Sequence, residues 1–506
     1  MKSYVPPAVQ RLHTEPCNPF RLGSTPRCAE IDGVFVDRLA RDHGSPLFVF
    51  SEADLREKIR DARRAFERRY PDVRFAWSYK TNYLNAICRV FHEEGAIAEV
   101  VSEFEYEKAR GNGIPGRDII FNGPCKGRAI LERAVDEGAM IQVDNLDELL
   151  LLGEIAALRP KPIAVALRVH LDTATHAVWS KFGFNADNGE ALRIVRRLLQ
   201  MPGLRLQGFH AHIGTFILDP DAYRKSAETL VRLALAAEKL GAGPIRYLNL
   251  GGGFASRARL HHQYLPPEQA TPSFDRYAEA ICDTITQAWP AGRLLPRLYL
   301  ETGRALVDEA GYLISTVVAV KHRRMPSVQP LKGVLAAYGK GMAANGAAPA
   351  REIDRPALVI DAGVNLLYTT AWYQPSILPA RACADAPVPT TVYGCLCMNI
   401  DVVREEAPLP GLTTGDHVVL HPVGAYNITQ SMQFITYRPA VVMIAPGGRI
   451  HVIRKRENLE YVQELEEIPR HLARKQSSAE KIKTGGDVIR PFRRRQPAVL
   501  NRRKQP

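Results

Sequence analysis

The chain has 506 residues, of which 46% are hydrophobic and 24% are charged. This length predicts more than one domain, the composition is that of a globular protein, and no apolar run is long enough to cross a membrane. The net charge is +13, but residues 471–506 carry +9 of it, so the rest of the chain gives no reason to expect nucleic-acid binding. The N-terminus lacks the apolar region of a secretory signal, and eight scattered cysteines indicate a reducing, cytoplasmic location.

Residues 1–50 form an N-terminal segment that precedes a regular strand–helix pattern. From residue 71 to 304, short apolar runs alternate with stretches of helical periodicity. The runs predicted to be strands are 75–80, 96–102, 118–123, 139–144, 163–169, 206–213, 245–250 and 297–301. Eight strand–helix units in about 230 residues are typical of a (β/α)8 TIM barrel, which we place at residues 51–310. A doubly wound sheet is the alternative, but it usually has fewer strands and carries its glycines after the first one.

The character of the sequence changes after residue 310, where helical periodicity fades and short β-rich runs follow one another. These runs are 311–320, 357–363, 390–397, 416–422, 441–445 and 450–453. They predict a separate all-β domain over residues 311–455. Within it, residues 321–356 are rich in alanine, glycine and basic side chains and predict an inserted, mobile loop. Residues 456–506 predict a basic, disordered tail.

Reactive side chains of a TIM barrel lie at the carboxyl ends of its strands. Lys80 closes the first predicted strand, where it either snorkels at the rim or, with a lowered pKa, acts as a Schiff-base nucleophile. The glycines of 251–253 follow the seventh strand, at the usual phosphate site of this fold, and present backbone N–H groups. Glu301 closes the eighth strand, and Arg304 just beyond it can add a charged fork for the same phosphate.

Two histidines, His210 and His212, alternate along the sixth predicted strand and therefore share one of its faces. In one interpretation they bind a metal, but such a site needs three or four ligands and no further set is recognisable. In the other, one histidine stacks on a flat cofactor while the other packs in the core. The Cys395-x-Cys397 pair lacks a second cysteine pair, which disfavours a zinc site.

A lysine, a phosphate cradle, an aromatic side chain for stacking and a carboxylate together indicate pyridoxal 5'-phosphate, and no metal site is predicted. Lys80 would hold the aldehyde of the cofactor, and the glycines would hold its phosphate. Glu301 would keep the pyridine nitrogen protonated, which makes the ring an electron sink.

Eight motifs follow one another in order along the chain. They are SYKTN (78–82), AEVVSEFEYEKA (98–109), RVHLDTATHAVWSKFGF (168–184), GFHAHIGTF (208–216), GGGF (251–254), ETGR (301–304), GCLCMNID (394–401) and GAY (424–426). This series resembles the fold-type III pyridoxal-phosphate decarboxylases, the group of diaminopimelate and ornithine decarboxylases, over residues 45–440. Glu99, Thr215 and Thr302 stand where that family usually has Asp, Ser and Pro.

The resemblance implies a cofactor site and assigns residues to it. The implied cofactor-binding residues are Lys80, Glu99, Arg168, His212, Thr215, Gly251, Gly252, Gly253, Glu301, Gly303, Arg304 and Tyr426. Lys80 would carry the cofactor as an aldimine, His212 would stack on its ring, and Tyr426 would touch its phosphate. The all-β domain would take a strand from the N-terminal segment, at about residues 30–50.

The resemblance also implies a head-to-tail homodimer with shared active sites. Cys397 would reach into the neighbouring site as the catalytic proton donor, with Lys80 as the alternative donor, and Asp401 would hold a distal amine of the substrate. Met398 stands where diaminopimelate decarboxylases have the glutamate for that amine, and a thioether cannot pair an ammonium. We therefore expect decarboxylation of an α-amino acid such as lysine, ornithine, a diaminopimelate-like compound or a conjugated derivative. A racemase on the same scaffold, a non-catalytic regulator and a metal hydrolase are the alternatives.

Overall fold

The computed structural model describes residues 26–326 and 352–472. Its first compact unit ends at Glu457. This unit opens with β1 (Glu30–Ile31), β2 (Val34–Phe35), α1 (Val36–His43), β3 (Leu47–Ser51) and α2 (Glu52–Glu67). The strands β1 and β2 pair with each other as a short antiparallel hairpin.

An alternation of strands and helices follows, as the sequence predicts. Its elements are β4 (Val73–Ser78), α3 (Asn85–Glu93), β5 (Ile97–Val100), α4 (Glu103–Gly111), β6 (Ile119–Phe121), α5 (Arg128–Asp136), β7 (Met140–Val143), α6 (Leu146–Ala157), β8 (Ile163–His170), β9 (Phe184–Asn185), α7 (Glu190–Leu199), β10 (Leu204–Ala211), α8 (Pro220–Lys239), β11 (Tyr247–Asn249), α9 (Pro267–Ala270), α10 (Phe274–Ala278), α11 (Thr284–Ala288), β12 (Arg297–Leu300) and α12 (Arg304–Val307). A π-helical stretch, Glu279–Asp283, joins α10 to α11.

Eight of these strands close into a parallel barrel in the order β4, β5, β6, β7, β8, β10, β11 and β12. Closure is made by the pairing of β12 with β4, in which Leu300 lies opposite Phe75. All eight are the strands predicted from the apolar runs, so the predicted TIM barrel is confirmed. Because every strand runs in the same direction, their carboxyl ends meet at one mouth of the barrel.

The helices of the barrel bury one face each, and α2, α4, α6 and α8 begin at side-chain caps. In α7 the buried positions are Ala191, Ile194, Val195 and Leu198, which recur at the helical spacing of three and four residues. Ser102 begins α4 by accepting a hydrogen bond from the N–H of Glu105. The serine that closes the second predicted strand therefore serves as a helix cap.

A second sheet follows the barrel and confirms the predicted β domain. Its own strands are β13 (Gly311–Pro326), β14 (Glu352–Ile360), β15 (Ser376–Pro379), β16 (Val388–Tyr393), β17 (Val402–Leu409), β18 (His417–His421), β19 (Ala440–Ala445) and β20 (Arg449–Arg454). The sheet order is β17, β16, β14, β13, β3, β19 and β20, and β18 pairs with both β13 and β15. The strands β15 and β17 have no counterpart among the predicted runs.

The strand β3 comes from the N-terminal segment and lies inside this sheet, antiparallel to β13 and parallel to β19. All five of its residues are buried. Leu47 and Val49 belong to one apolar cluster, whereas Phe48 and Phe50 belong to the main core that includes the barrel. Alternate side chains of one strand thus connect two cores.

The predicted insertion at 321–356 begins and ends within strands. β13 continues to Pro326 and β14 starts at Glu352, and the two pair as antiparallel neighbours across this stretch. The segment between them, 327–351, lies outside the described residues, as do 1–25 and 473–506. In the second compact unit, which begins at Asn458, the described part of the predicted tail contains α13 (Leu459–Val462). No helix among the described residues is long and apolar enough to cross a membrane.

Candidate active site

A cavity of about 670 Å³ opens at the mouth where the barrel strands end. Of the predicted site residues, those that line it are Lys80, Glu99, Arg168, His212, Thr215, Glu301, Arg304 and Tyr426. Residues more than 340 positions apart in the sequence therefore meet in one place, because seven come from the barrel and Tyr426 comes from the β domain. The predicted glycines lie directly around them.

Lys80 lies in a single turn of 3-10 helix that follows β4. Its Nζ donates to both carboxylate oxygens of Glu99, at 2.9 and 2.8 Å. Burial would lower the pKa of Lys80, but the Glu99 carboxylate and other neighbouring groups raise it above its ordinary value. The shift is therefore opposite to the lowered pKa named in the Schiff-base interpretation, since the ammonium is paired with a carboxylate.

Glu301 is buried at the end of β12, where its Oε1 accepts hydrogen bonds from Asn122 at 2.8 Å and Asn249 at 2.7 Å. Its Oε2 makes no hydrogen bond within the described residues, and the nearest ring nitrogen, Nε2 of His210, is 3.4 Å away. Burial alone would raise the pKa of Glu301, but His210, Lys80 and Asn122 hold it well below its usual range. This carboxylate is therefore charged and has one oxygen available for a ligand.

His212 follows β10 and stacks on Trp179, with the ring centroids 5.4 Å apart and the planes 9° from parallel. Burial, with the positive charges of Lys80 and Arg168, lowers the pKa of His212 to about 3, so the ring is neutral near pH 7. A neutral, flat ring already stacked on an indole is suited to stack on a planar ligand.

The glycines of 251–253 pack so closely that side chains would not fit. A Cβ atom at Gly252 would collide with the carbonyl oxygen of Glu301, and one at Gly253 would collide with that of Gly214. Gly251 and Gly253 also have positive φ angles of 65° and 95°, which other residues rarely adopt. Gly303 is equally constrained, because a Cβ there would collide with Oγ1 of Thr81. These positions form a backbone cradle beside the cavity.

Arg304 brings a buried positive charge to the cradle. Its Nη1 lies 3.3 Å from Oδ2 of Asp308, while Nε has no hydrogen-bond partner within the described residues. The guanidinium lies 4.3 Å from the ring centroid of Tyr373 and 5.0 Å from that of Tyr426. A buried arginine with an unsatisfied N–H group indicates that an anionic ligand such as a phosphate completes this site.

Arg168 lies in β8 and is buried at the barrel mouth. Its Nη1 lies 3.3 Å from Oδ1 of Asp144, and its guanidinium lies 4.3 Å from the ring centroid of Phe182. Burial lowers the pKa of Arg168 although Asp144 opposes the shift. The residue lines the cavity as predicted, and its ion pair joins the ends of two neighbouring strands.

The predicted residues of 394–401 lie apart from the cavity in this chain. Cys397 is exposed, and Met398 is half-buried in the same turn. Asp401 is buried, and its two oxygens accept hydrogen bonds from the N–H groups of Val364 at 2.8 Å and Leu396 at 2.7 Å. These bonds hold the turn, and the substrate-binding role of Asp401 stays a prediction.

His210 and His212 do not form part of a metal centre in this structure. No group of three or more metal-ligating side chains occurs in the described residues. His210 is buried against Glu301, whereas His212 lines the cavity and stacks on Trp179. The two histidines thus have the separate packing and stacking positions of the second interpretation.

Several residues in or beside the cavity were not predicted from the sequence. Asn122 and Asn249 hold Glu301, and both lie at strand ends, where their position was a usable signal. The others are side chains of the outer cavity: Trp179, Phe182, Phe216, Leu260, Thr369, Trp372, Tyr373 and Gln430. They come from loops of both domains. Trp179, Phe182 and Phe216 lie within the motifs at 168–184 and 208–216, whereas neither periodicity nor spacing marks the others.

These features define an enzyme site for a flat, anionic cofactor at the mouth of a TIM barrel. The paired lysine can hold an aldehyde, the neutral His212 can stack on a ring, and the free oxygen of Glu301 can accept a ring N–H group. The glycine cradle and the unsatisfied Nε of Arg304 suit a phosphate. The residues present therefore fit pyridoxal 5'-phosphate.

Comparison with protein families matches residues 53–308 to the pyridoxal binding domain of the pyridoxal-dependent decarboxylases. The chain belongs to this family, and it is an enzyme that uses pyridoxal phosphate to decarboxylate an amino acid. The family, the cofactor and the enzyme class that were predicted from the sequence are confirmed.

Curated relatives share this similarity over nearly their whole length. The chain is 28% identical to the diaminopimelate decarboxylase of Aquifex aeolicus over 86% of this chain and 94% of that protein. It is 29% identical to the one from Methanothermobacter thermautotrophicus, over 88% and 97%. A crystal structure of the M. jannaschii diaminopimelate decarboxylase with L-lysine is 26% identical, covers 89% of this chain and 99% of that one, and superposes with a TM-score of 0.74.

Proposed function

We propose that the enzyme removes the α-carboxylate of an α-amino acid as CO2, with Lys80 as the residue that carries the cofactor. The observation that supports this most directly is the pairing of Lys80 with Glu99 beside the buried carboxylate of Glu301. One side chain, Asn122, donates to both Glu99, at 2.9 Å, and Glu301, at 2.8 Å. The lysine and the ring-nitrogen carboxylate are thereby held in fixed relation.

When bound, pyridoxal phosphate supplies the electron sink into which the electrons of the broken C–C bond move. Glu301 would keep a negative charge beside the ring nitrogen, and His212 would stack on the ring. The Lys80 Nζ holds its protons beside Glu99, whose two carboxylate oxygens accept its hydrogen bonds. Arg304 and the glycine cradle would hold the phosphate and so help to orient the substrate.

We test this role with Lys80→Ala, which we expect to reduce CO2 release by about three orders of magnitude or more. The visible absorbance of the purified protein should change as well, because no lysine then holds the cofactor. Lys58→Ala is the matched control, since Lys58 pairs with Glu309 outside the cavity. Undiminished turnover in Lys80→Ala would reject the proposal, and solvent deuterium at the α-carbon without CO2 release would indicate a racemase.

We further propose that the enzyme is a homodimer with shared active sites. An exposed apolar patch is formed by Ile400, Met432, Phe434, Ile435 and Tyr437, each at least 42% exposed. Asn365 bonds to the backbone of Met432 and Phe434, and Asp401 bonds to Val364, so the segments that carry the patch are neighbours. An exposed patch of this kind beside a cavity supports a subunit interface.

The proposed dimer places the exposed Cys397 in the neighbouring active site, as the donor of the proton that replaces the carboxylate. Mixing two inactive variants tests this arrangement. Lys80→Ala and Cys397→Ala homodimers should each be nearly inactive. After dissociation and reassembly, random pairing should restore about a quarter of wild-type activity, because each mixed dimer contains one intact site. If Cys397 acted within its own subunit, no activity would return.

The relatives are named for diaminopimelate, but this chain has Met398 where we expect a glutamate for the distal amine of that substrate. We infer that diaminopimelate itself is not the substrate. We also infer a reducing, cytoplasmic location, which the free state of the cysteines in the described residues supports.

A further inference from the structure

The cavity has a charged floor and an apolar outer side. The floor consists of the cofactor-binding groups at the strand ends. The outer side includes Phe216, Leu260, Trp372 and Tyr373, which we call the apolar wall. Phe216 and Tyr373 have ring centroids 5.0 Å apart, and Leu260 packs against the same cluster. The ring centroids of Phe216 and Tyr373 lie 5.9 and 4.3 Å from the guanidinium of Arg304, so the apolar wall begins at the floor. A substrate whose reacting carbon lies over the floor can extend its distal end along this wall toward Trp372.

Hydrogen bonds between the two domains hold the apolar wall in place. Leu260 and Tyr373 pair as an isolated antiparallel bridge, and the N–H of Gln374 donates to the carbonyl of Arg259 at 2.7 Å. The backbone N–H of His261 donates to the carbonyl of Trp372 at 3.0 Å, and its Nε2 lies 2.8 Å from the carbonyl of Thr370. The wall is therefore built before any ligand arrives, as expected for a specificity surface.

The carboxylates of the cavity are already engaged. Among the described residues that line it, the acidic ones are Glu99, which accepts from Lys80, and Glu301, which accepts from two asparagines. Of the charged side chains in the lining, the exposed one is Lys181, a cation. A distal ammonium would find no free carboxylate in this chain and would approach a like charge. Met398, which the proposed partner would bring beside Cys397, has a thioether in place of a carboxylate.

We propose that the substrate is an α-amino acid whose distal end is an uncharged apolar or aromatic group that packs on the apolar wall. This proposal rests on the decarboxylase function proposed above and specifies its substrate class. A large apolar group gains affinity by leaving water, and the Trp372 and Tyr373 rings offer faces for aromatic contact. Simple diamino acids have no apolar distal group and gain no comparable affinity from the apolar wall.

The first experiment measures kcat/KM for CO2 release from the full-length enzyme loaded with pyridoxal phosphate. The panel contains L-lysine, meso-diaminopimelate, L-glutamate and Nε-benzoyl-L-lysine, which differs from lysine by an uncharged aromatic end. We expect Nε-benzoyl-lysine to exceed lysine by about tenfold or more, from the apolar area that it buries. A tenfold preference for lysine, diaminopimelate or glutamate would overturn the substrate class and leave the decarboxylase function intact.

A binding measurement separates the two proposals. Dissociation constants are measured by calorimetry with Lys80→Ala protein supplemented with pyridoxal phosphate, which does not depend on turnover. Tighter binding of Nε-benzoyl-lysine than of lysine supports the apolar wall even if no CO2 is released from wild-type enzyme. Equal or weaker binding overturns the proposal. Absence of CO2 release with the expected binding order would reject the decarboxylase function alone.

Substitution of Trp372 tests the wall itself. Trp372→Glu places a carboxylate at the rim, and Trp372→Gln is the matched control with nearly the same shape and no charge. Both should lose the advantage for Nε-benzoyl-lysine. Relative to Trp372→Gln, Trp372→Glu should raise kcat/KM for lysine about tenfold, because a new charge pair forms. If neither variant changes the ratio of the two substrates, Trp372 does not contact the distal end and the wall is wrongly assigned.

Discussion

The side-chain amide of Asn122 connects the two carboxylates on which the site depends. Its Nδ2 donates to Glu99, the partner of Lys80, and to Glu301, the expected partner of the ring nitrogen. Two buried negative charges so close together repel each other, and the shared donor offsets part of that repulsion. At the scale of single residues, the Lys80–Glu99 pair and Glu301 therefore do not act independently.

Replacing Asn122 by leucine should affect both carboxylates. We expect about tenfold weaker binding of pyridoxal phosphate and a loss of about 1–3 kcal/mol in the free energy of unfolding, since buried acceptors lose their donor. The comparison variant is Asn249→Leu, which removes a donor from Glu301 and the acceptor of the Gly251 N–H group but leaves Glu99 untouched. Cofactor titration and thermal unfolding measure the two effects. Identical changes in both variants would show that the link between the carboxylates is unimportant.

Glu105 should make the stability of the enzyme depend on pH. Burial, with the nearby Glu99 carboxylate, raises the pKa of Glu105 to about 7. The folded state thus holds this proton more tightly than the unfolded state. The resulting contribution to the free energy of unfolding is present at low pH and is lost as the pH rises toward 7. Above that pH, the buried charge costs on the order of 3 kcal/mol.

Glu105→Gln removes this titration and keeps an oxygen for the N–H of Val101, which Glu105 now binds at 2.9 Å. The variant should gain stability relative to wild type between pH 5 and pH 8, as measured by thermal unfolding across that range. Parallel stability curves for the two proteins would contradict the raised pKa.

At the scale of elements, the barrel was predictable because each strand is a short apolar run bounded by helical periodicity. β15 and β17 were not predictable. Ser376–Pro379 is short, and Val402–Leu409 has three consecutive charged residues and lies at the edge of a sheet. Site residues at strand ends, such as Lys80 and Glu301, could be located once the barrel was predicted. The apolar wall did not, because Trp372 and Leu260 lie on loops that only the tertiary fold brings together.

The turn at 394–401 contains a predicted substrate-binding residue, Asp401, whose role can be separated from a structural one. Asp401 holds this turn by two buried hydrogen bonds, so Asp401→Asn should lower the free energy of unfolding by about 1–3 kcal/mol. The ratio of kcat/KM between charged and uncharged substrates should stay unchanged. Asn399→Ala, an exposed position of the same turn, is the control. A changed ratio of kcat/KM without a loss of stability would instead support the predicted substrate-binding role of Asp401.

At the scale of the whole molecule, β3 couples the barrel to the β domain. Phe48→Ala removes a ring from the core shared with the barrel, and Val49→Ala removes methyl groups from the second cluster. We expect losses of about 3–5 and about 1–3 kcal/mol, respectively, each within one thermal transition that both domains share. Phe35→Ala, at a position 63% exposed, should change little. Two separate transitions would show that the domains unfold independently.

The parallel pairing of β3 with β19 also sets the order in which the enzyme is completed during synthesis. Leu47 meets Ala440, so the first strand of the sheet waits for nearly four hundred further residues to leave the ribosome. The barrel can form earlier, but β3 stays without a permanent neighbour on that side until translation is almost finished. A nascent or truncated chain that ends before β19 therefore exposes one sheet edge, and that edge is where a chaperone would be needed.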